Sequence, residues 1–303
     1  MNKTSYDVLI IGGGPGGISA ASKLVLQGKK VIIVNDGPLM GYGIEGAFKS
    51  KAGYELTREY LHVKFREDIF GHVPELNFSK LKKGVEQSAA SLTSMLETRL
   101  RRLNIEVICG YAAFENEHEV RVGDVAISAT HIIIATGTKP RVLPNMSIDG
   151  KSIITSDEAI NLPHSPKSIL ILGAGVIGCE FASIFNAVGT EVYLVDTNKQ
   201  IMSNEDQDVS EYLKNAFDAR GVNVIPASRY QGHKVSKSSV ITNLSTGDIT
   251  TEMVLLAIGR VPNIEHLNLE AAGVEVDNRN YVIIDGKTRT NIPGIYAVGD
   301  VGH

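Results

Sequence analysis

Asp7-Val8-Leu9-Ile10-Ile11-Gly12-Gly13-Gly14-Pro15-Gly16-Gly17 is the stretch that decides the fold. A short apolar run enters a cluster of glycines. Beyond it, Ile18 to Gln27 has a helical pattern, Gly28 ends it, and a second apolar run, Val31 to Val34, stops at Asn35-Asp36. The order is strand, tight turn, helix, strand. In that setting Gly12, Gly14 and Gly17 form G-x-G-x-x-G. The first glycine allows the turn, the second lets backbone approach a pyrophosphate, and the third lets helix and strand pack closely. Pro15 and Gly16 lie where the helix begins, and its unpaired N–H groups and partial positive charge suit phosphate.

The pattern occurs twice. Ile169-Leu170-Ile171-Leu172 leads into Gly173-Ala174-Gly175-Val176-Ile177-Gly178, a helical stretch runs to Gly189, and Val192 to Val195 ends at Asp196. Gly12 to Asn35 and Gly173 to Asp196 both span 23 positions. Two βαβ units of equal internal spacing predict an α/β protein with two Rossmann-like dinucleotide-binding domains. Short alternating segments after each unit (Ile105–Phe114, Glu119–Val122 and Asp124–Ser128; then Lys234–Leu244 and Ile249–Ile258) add a small antiparallel β-meander to each. Two nucleotide sites on one chain imply electron transfer between a bound flavin dinucleotide and a diffusible nicotinamide dinucleotide.

Composition agrees with this and excludes other classes. The 303 residues suggest about two domains. With 43% hydrophobic and 21% charged residues, the chain can build a sizeable core. A net charge of -4 without a basic run gives no reason to expect nucleic acid or an anionic membrane as partner. No apolar stretch reaches the ~20 residues of a membrane span. The N-terminus lacks a signal core, so a cytoplasmic location is expected. The two cysteines, Cys109 and Cys179, fit neither a disulfide scaffold nor a zinc site, and both read as small buried residues. The histidines show no metal-ligand spacing, and no metal site is expected.

Other segments carry local signals. Ile44 to Phe70 reads as mostly helical. A second helix within 77–103 shows Leu92, Met95, Leu96, Leu100 and Leu103 as a core-facing stripe. Thr155-Ser156-Asp157-Glu158 is a helix-capping signal, and Ser203 with Asp206 is another. Three buried strands end in glycine: His131 to Gly137, a run ending at Gly259, and Ile295 to Gly299-Asp300.

Taken together, these segments resemble the pyridine nucleotide-disulfide oxidoreductases, a family that includes dihydrolipoamide dehydrogenase, mercuric reductase and soluble transhydrogenase. The resemblance covers nearly the whole chain. It implies an FAD-binding domain over 1–148, an NAD-binding domain over 149–272, and a return segment, 273–303, that completes the first. FAD would be held by Gly12, Gly14, Pro15, Gly16, Gly17, Asn35, Asp36 and Lys51, by Ala112 in Gly110–Phe114, by Ala135-Thr136-Gly137, and by Asp300 on the ribityl chain. NAD would be held by Gly173, Gly175, Val176, Ile177, Gly178, Asp196 and Gly259. Lys51 and Glu180 would lie near the flavin ring and pair, with Lys51 as an electrostatic catalytic group. The carboxylate of Asp196 suits the free 2′-hydroxyl of NAD, so NADH is expected over NADPH. Lys199 is the residue that could reverse this.

Three departures shape the functional expectation. The family's redox pair lies in C-x-x-x-x-C ending in Ser-Lys; here Tyr42 and Ala47 occupy the cysteine positions, while Ser50-Lys51 remains. Neither can form a thiolate, so dithiol exchange is excluded by that route. Asn35 stands where the family has an acid for the FAD ribose. A dimerisation domain of roughly a hundred residues, an ordinary domain size, is not part of this sequence. The family would be dimeric and a monomer is compatible with this chain, which reads either as a protein that naturally lacks the domain or, in preference, as a truncated form. The expected function is an FAD-dependent NADH oxidoreductase passing electrons to a non-disulfide small-molecule acceptor: a quinone, another small molecule or a second nicotinamide. A redox-inactive nucleotide-binding scaffold, or a fragment of a dihydrolipoamide dehydrogenase-like enzyme, is the alternative.

Overall fold

A computed structural model describes residues 4–303. The chain divides into two compact units. One comprises Met1–Glu45, Ala89–Lys139 and Arg260–His303, and the other Gly46–Ser88 and Pro140–Gly259. This differs from the bounds expected from sequence. Residues 46–88 group with the second unit because helix Lys49–Lys64 packs on helix Val176–Ala187. Residues 260–272 group with the first, where Leu267, Leu269 and Ala272 join its core.

In the first unit, strand Thr4–Ile11 lies between Val31–Asn35 and Val125–Ile134, parallel to both. Glu106–Cys109 extends the sheet beyond Val31–Asn35, and Ile295–Ala297 pairs parallel with the end of Val125–Ile134. Burial on both faces explains the near-continuous apolar strands: Leu9, Ile10, Ile32 and Ile33 are fully buried. The meander is Ala112–Asn116, Glu119–Val122 and the start of Val125–Ile134, all antiparallel. Sequence reading separated that last strand from His131–Ile134. The structure runs them together, so one strand serves both the meander and the parallel sheet.

The second unit repeats the plan. Its parallel sheet has the order Asn223–Ile225, Glu191–Val195, Ser168–Leu172, Met253–Leu256, Ile153–Thr155. Tyr230–Val235, Val240–Leu244 and Gly247–Thr251 form its antiparallel meander. Helix Ser156–Ala159 starts with the expected capping box between Thr155 and Glu158.

Three local expectations are corrected. Met95 is 69% exposed while Leu100 is buried, because Met95 lies about 100° round the helix from the centre of that stripe. Cys109 is exposed, being the last residue of an edge strand; only Cys179 is buried. Helix Gln207–Ala219 is preceded by Asp206 as N-cap rather than capped by Ser203, and the Asp206 side chain makes no cap hydrogen bond.

Candidate functional site: two matched nucleotide turns

Strand Thr4–Ile11 ends at Gly12, whose φ of +108° suits only glycine. A Cβ there would stand 2.7 Å from the Ala135 carbonyl carbon and 3.0 Å from the Thr136 nitrogen. Gly12 N–H donates to Val34 O (2.8 Å) and Ala135 N–H to Ile11 O (2.7 Å), tying the turn to both neighbouring strands. Gly14 is the N-cap of helix Pro15–Leu26, with Pro15 at its start, no side-chain cap and no acid in its first turn. At Gly17 a Cβ would sit inside the van der Waals shell of Gly12 O, which accounts for the third glycine.

The second turn reproduces this geometry. Gly173 has φ +102° and donates to Val195 O (2.8 Å), and a Cβ on it would stand only 2.7 Å from the Ala257 carbonyl carbon. Helix Val176–Ala187 starts from Gly175 with no side-chain cap and no first-turn acid. Val176 is 55% exposed at that helix start, Gly178 packs on Gly173 O, and Ile177 is partly buried. Met40 N–H donates to Gly13 O, and Met202 N–H to Ala174 O, the same strap at both turns.

The strand ends that follow each turn also match. Asn35 Oδ1 accepts from Gly13 N–H (2.8 Å), and Asp196 Oδ2 accepts from Ala174 N–H (2.7 Å). They differ in the second polar atom. Asn35 Nδ2 donates to Gly37 O, whereas Asp196 Oδ1 accepts from Asn198 N–H (2.7 Å). Asp36 is exposed and is not the residue bonded to the turn.

Both turns suit a dinucleotide. Uncapped N–H groups at two 12-residue helices, with open space beside Gly175 and only Ala135 O near Gly14, leave backbone accessible to a pyrophosphate. Thr136 Oγ1 is buried beside the first turn with no partner in the protein, as a group awaiting a ligand would be. Gly137 (φ +64°) and Gly259 (φ +100°) have open space where a Cβ would project. Ala112 is buried at the start of its meander strand, so backbone rather than side chain is what it can offer. Asp300 is exposed and accepts from Thr138 Oγ1 (3.4 Å).

Lys51 and Glu180 come together as expected: Lys51 Nζ lies 2.5 Å from Glu180 Oε1. Ser50, of the surviving Ser-Lys pair, is buried and donates to Ala47 O (3.1 Å). Beside Glu180, burial pushes the Cys179 thiol up to about 12, so it stays protonated and inert. Sequence reasoning missed Thr138, Arg260 and Tyr42 as a group. Arg260 Nε donates to Thr138 Oγ1 (2.9 Å) and Nη2 to Thr138 O (2.6 Å), while its guanidinium carbon lies 3.7 Å from the Tyr42 ring centroid. A threonine directly after the glycine of one motif and an arginine directly after that of another were the available signal. Among the described residues, no group of three or more His, Cys, Asp or Glu could hold a metal ion, and no helix is long and apolar enough to cross a membrane.

Two matched Gly-turn βαβ units, each with its own meander, define a protein with two dinucleotide-binding domains. Residues 6–302 match the family model for pyridine nucleotide-disulphide oxidoreductases, and the chain belongs to that family. It is 32% identical to the dihydrolipoyl dehydrogenase of Zymomonas mobilis over 98% of this chain and 66% of that protein. It is also 32% identical to the soluble pyridine nucleotide transhydrogenase of Pseudomonas putida, with the same coverage. The solved structure of the HOCl-induced flavoprotein disulfide reductase RclA from Escherichia coli superposes with a TM-score of 0.88. Sequence identity there is 26%, over 98% of this chain and 66% of that one. The chain thus spans about two thirds of the length of these relatives.

Proposed function

We propose that this chain is an FAD-dependent NADH oxidoreductase whose acceptor is a small molecule other than a disulfide. The observation that carries the reading is the pair of matched turns combined with Tyr42 and Ala47 at the thiol positions. The first unit would hold FAD through Gly12–Gly17, Asn35, Thr136 and Asp300. The second would hold NADH through Gly173–Gly178 and Asp196. Bound together, the two cofactors supply hydride transfer, which needs no protein thiol. Lys51, oriented by Glu180, would favour added negative charge on the flavin ring. Asp196 would accept from the nicotinamide cofactor's free ribose hydroxyl and repel a 2′-phosphate. Quinones, dye-like small molecules and a second nicotinamide are the acceptor classes to assay.

Asn35 favours a second reading, a nucleotide-binding scaffold without redox activity, since it removes a charge-assisted bond to the first ribose. Anaerobic titration of the FAD-loaded chain with NADH and then NADPH separates the two. Bleaching of the flavin band by NADH supports the oxidoreductase. A bound flavin that neither nucleotide reduces supports the scaffold.

A further inference from the structure

We propose that Tyr42, Arg260 and Thr138 are positioning residues that aim the Asp300 carboxylate at the ribityl hydroxyls of a flavin dinucleotide. The proposal rests on the flavin reading of the first unit. Four residues from four separate stretches of that unit meet in order. An arginine side chain can only donate, so the Arg260 Nε–H bond makes Thr138 Oγ1 an acceptor there. The one proton of that hydroxyl is left to point away from Arg260, and Asp300 Oδ2 is the acceptor it meets, at 3.4 Å. The direction of the chain of bonds is therefore fixed: Arg260 to Thr138 to Asp300. That last bond is long for O–H···O, so Asp300 keeps acceptor capacity for further hydroxyls.

Arg260 is held on three sides of its planar group. Its second bond, Nη2 to Thr138 O at 2.6 Å, grips the same residue bidentately, and the Tyr42 ring supports the guanidinium face at 3.7 Å. Thr138 follows Gly137 and Asp300 follows Gly299, both in the left-handed region, just past two paired parallel strands. Ligands of open α/β sheets bind at such carboxyl ends. Tyr42 thus has a task of its own: it supplies the platform on which the relay to Asp300 is built.

The test is FAD uptake by the apo chain, followed by flavin fluorescence, with ADP as competitor. ADP carries adenosine and pyrophosphate but no ribityl chain. Thr138→Val is expected to raise the FAD Kd by ~10-fold or more, while the ADP concentration that halves FAD uptake scales only with that change and the ADP affinity stays within about twofold. Thr138→Ser is expected to restore FAD binding. Tyr42→Cys, which reinstates the family's residue, is expected to weaken FAD ~3-fold or more, and Tyr42→Phe, which keeps the ring, to leave it near wild type. Equal weakening of FAD and ADP in Thr138→Val would mean a merely structural role and overturn the proposal, as would unchanged FAD binding. A wild-type chain that takes up no FAD would sink the flavin reading and the relay together. Wild-type binding with an unaffected variant sinks the relay alone.

Discussion

Gly178→Ala and Gly17→Ala, made separately, should disable one nucleotide site each. A Cβ at Gly178 falls inside the van der Waals shell of Gly173 O and 3.0 Å from its carbonyl carbon; at Gly17 the same clash is with Gly12, 3.2 Å from the carbon. Relief requires the carbonyl to retreat by about 1 Å or more. It has nowhere to go. Gly173 is bonded to Val195 O and lies against the Ala257 backbone, where a Cβ on Gly173 would stand 2.7 Å from the Ala257 carbonyl carbon; Gly12 is bonded to Val34 O, and a Cβ on it would come equally close to Ala135. Overpacking costs about 1–3 kcal/mol and a lost backbone bond about 1 kcal/mol, so each change should cost roughly 3 kcal/mol. Gly189→Ala is the control: φ is +85° but the space is open, so only left-handed strain of about 1–2 kcal/mol applies. Calorimetric melting should then drop by roughly 6–12 °C for the two turn variants and clearly less for the control. If each turn's amides seat one pyrophosphate as proposed, isothermal titration should show NADH binding weakened ~100-fold by Gly178→Ala with FAD little changed, and the reverse for Gly17→Ala. Equal loss of both ligands in either variant, or a Gly178→Ala chain with normal melting and NADH affinity, would refute the assignment.

Lys51→Met should slow flavin reduction by NADH in stopped flow yet cost at most about 1 kcal/mol of stability, because Lys51 is 57% exposed; an unchanged rate ends its catalytic role. Asp196→Ser should raise the NADH Kd ~10–100-fold and bring NADPH towards parity, through loss of two backbone bonds and of the repelling charge; a preserved NADH preference would place selectivity elsewhere. Cys179 and Tyr6 are both held at about 12 in the folded chain, above their ordinary 9.0 and 10.0, chiefly by burial. The unfolded chain therefore loses these protons first, and stability present below about pH 9 should decline as pH rises from there towards 12. Urea midpoints that stay level from pH ~8 to ~10.5 would contradict this.

What could be read from the sequence was local. The turns, the helices behind them and the Thr155 capping box depend on residues a few positions apart, where spacing fixes geometry. Met95 and Cys109 were misread because burial depends on which side of an element meets a neighbour: Met95 faces away from the helix stripe and Cys109 ends an edge strand. The Lys51–Glu180 pair was reached through resemblance, since nothing in the spacing of two distant residues brings them to 2.5 Å. Tyr42 stands at a family cysteine position, and Thr138 and Arg260 each follow a motif glycine, but the stack and the bonds joining them depend on strand order, which the motifs do not encode.

Asn35 is where the internal repeat is most informative. Judged against the family pattern it is a missing acid. Judged against Asp196 in the same chain, it is an amide matched to its loop. Both side chains accept from the turn, but the loop after Asn35 offers the Gly37 carbonyl, whereas the loop after Asp196 offers the Asn198 N–H. A carboxylate in place of Asn35 would set oxygen against oxygen, leaving a charged acceptor unsatisfied at a cost of about 1–3 kcal/mol. Asn35→Asp should therefore destabilise the chain at neutral pH despite restoring the family's charge. Facing a carbonyl, the new carboxyl would have a folded pKa above its unfolded value of about 3.9, since only its protonated form can donate to Gly37. The deficit relative to wild type should accordingly be full well above the folded pKa and shrink as pH falls through it. Urea unfolding of both chains at pH ~7 and ~4.5 measures the gap, and a gap of equal size at the two pH values would show that the loop does not require a donor at this position.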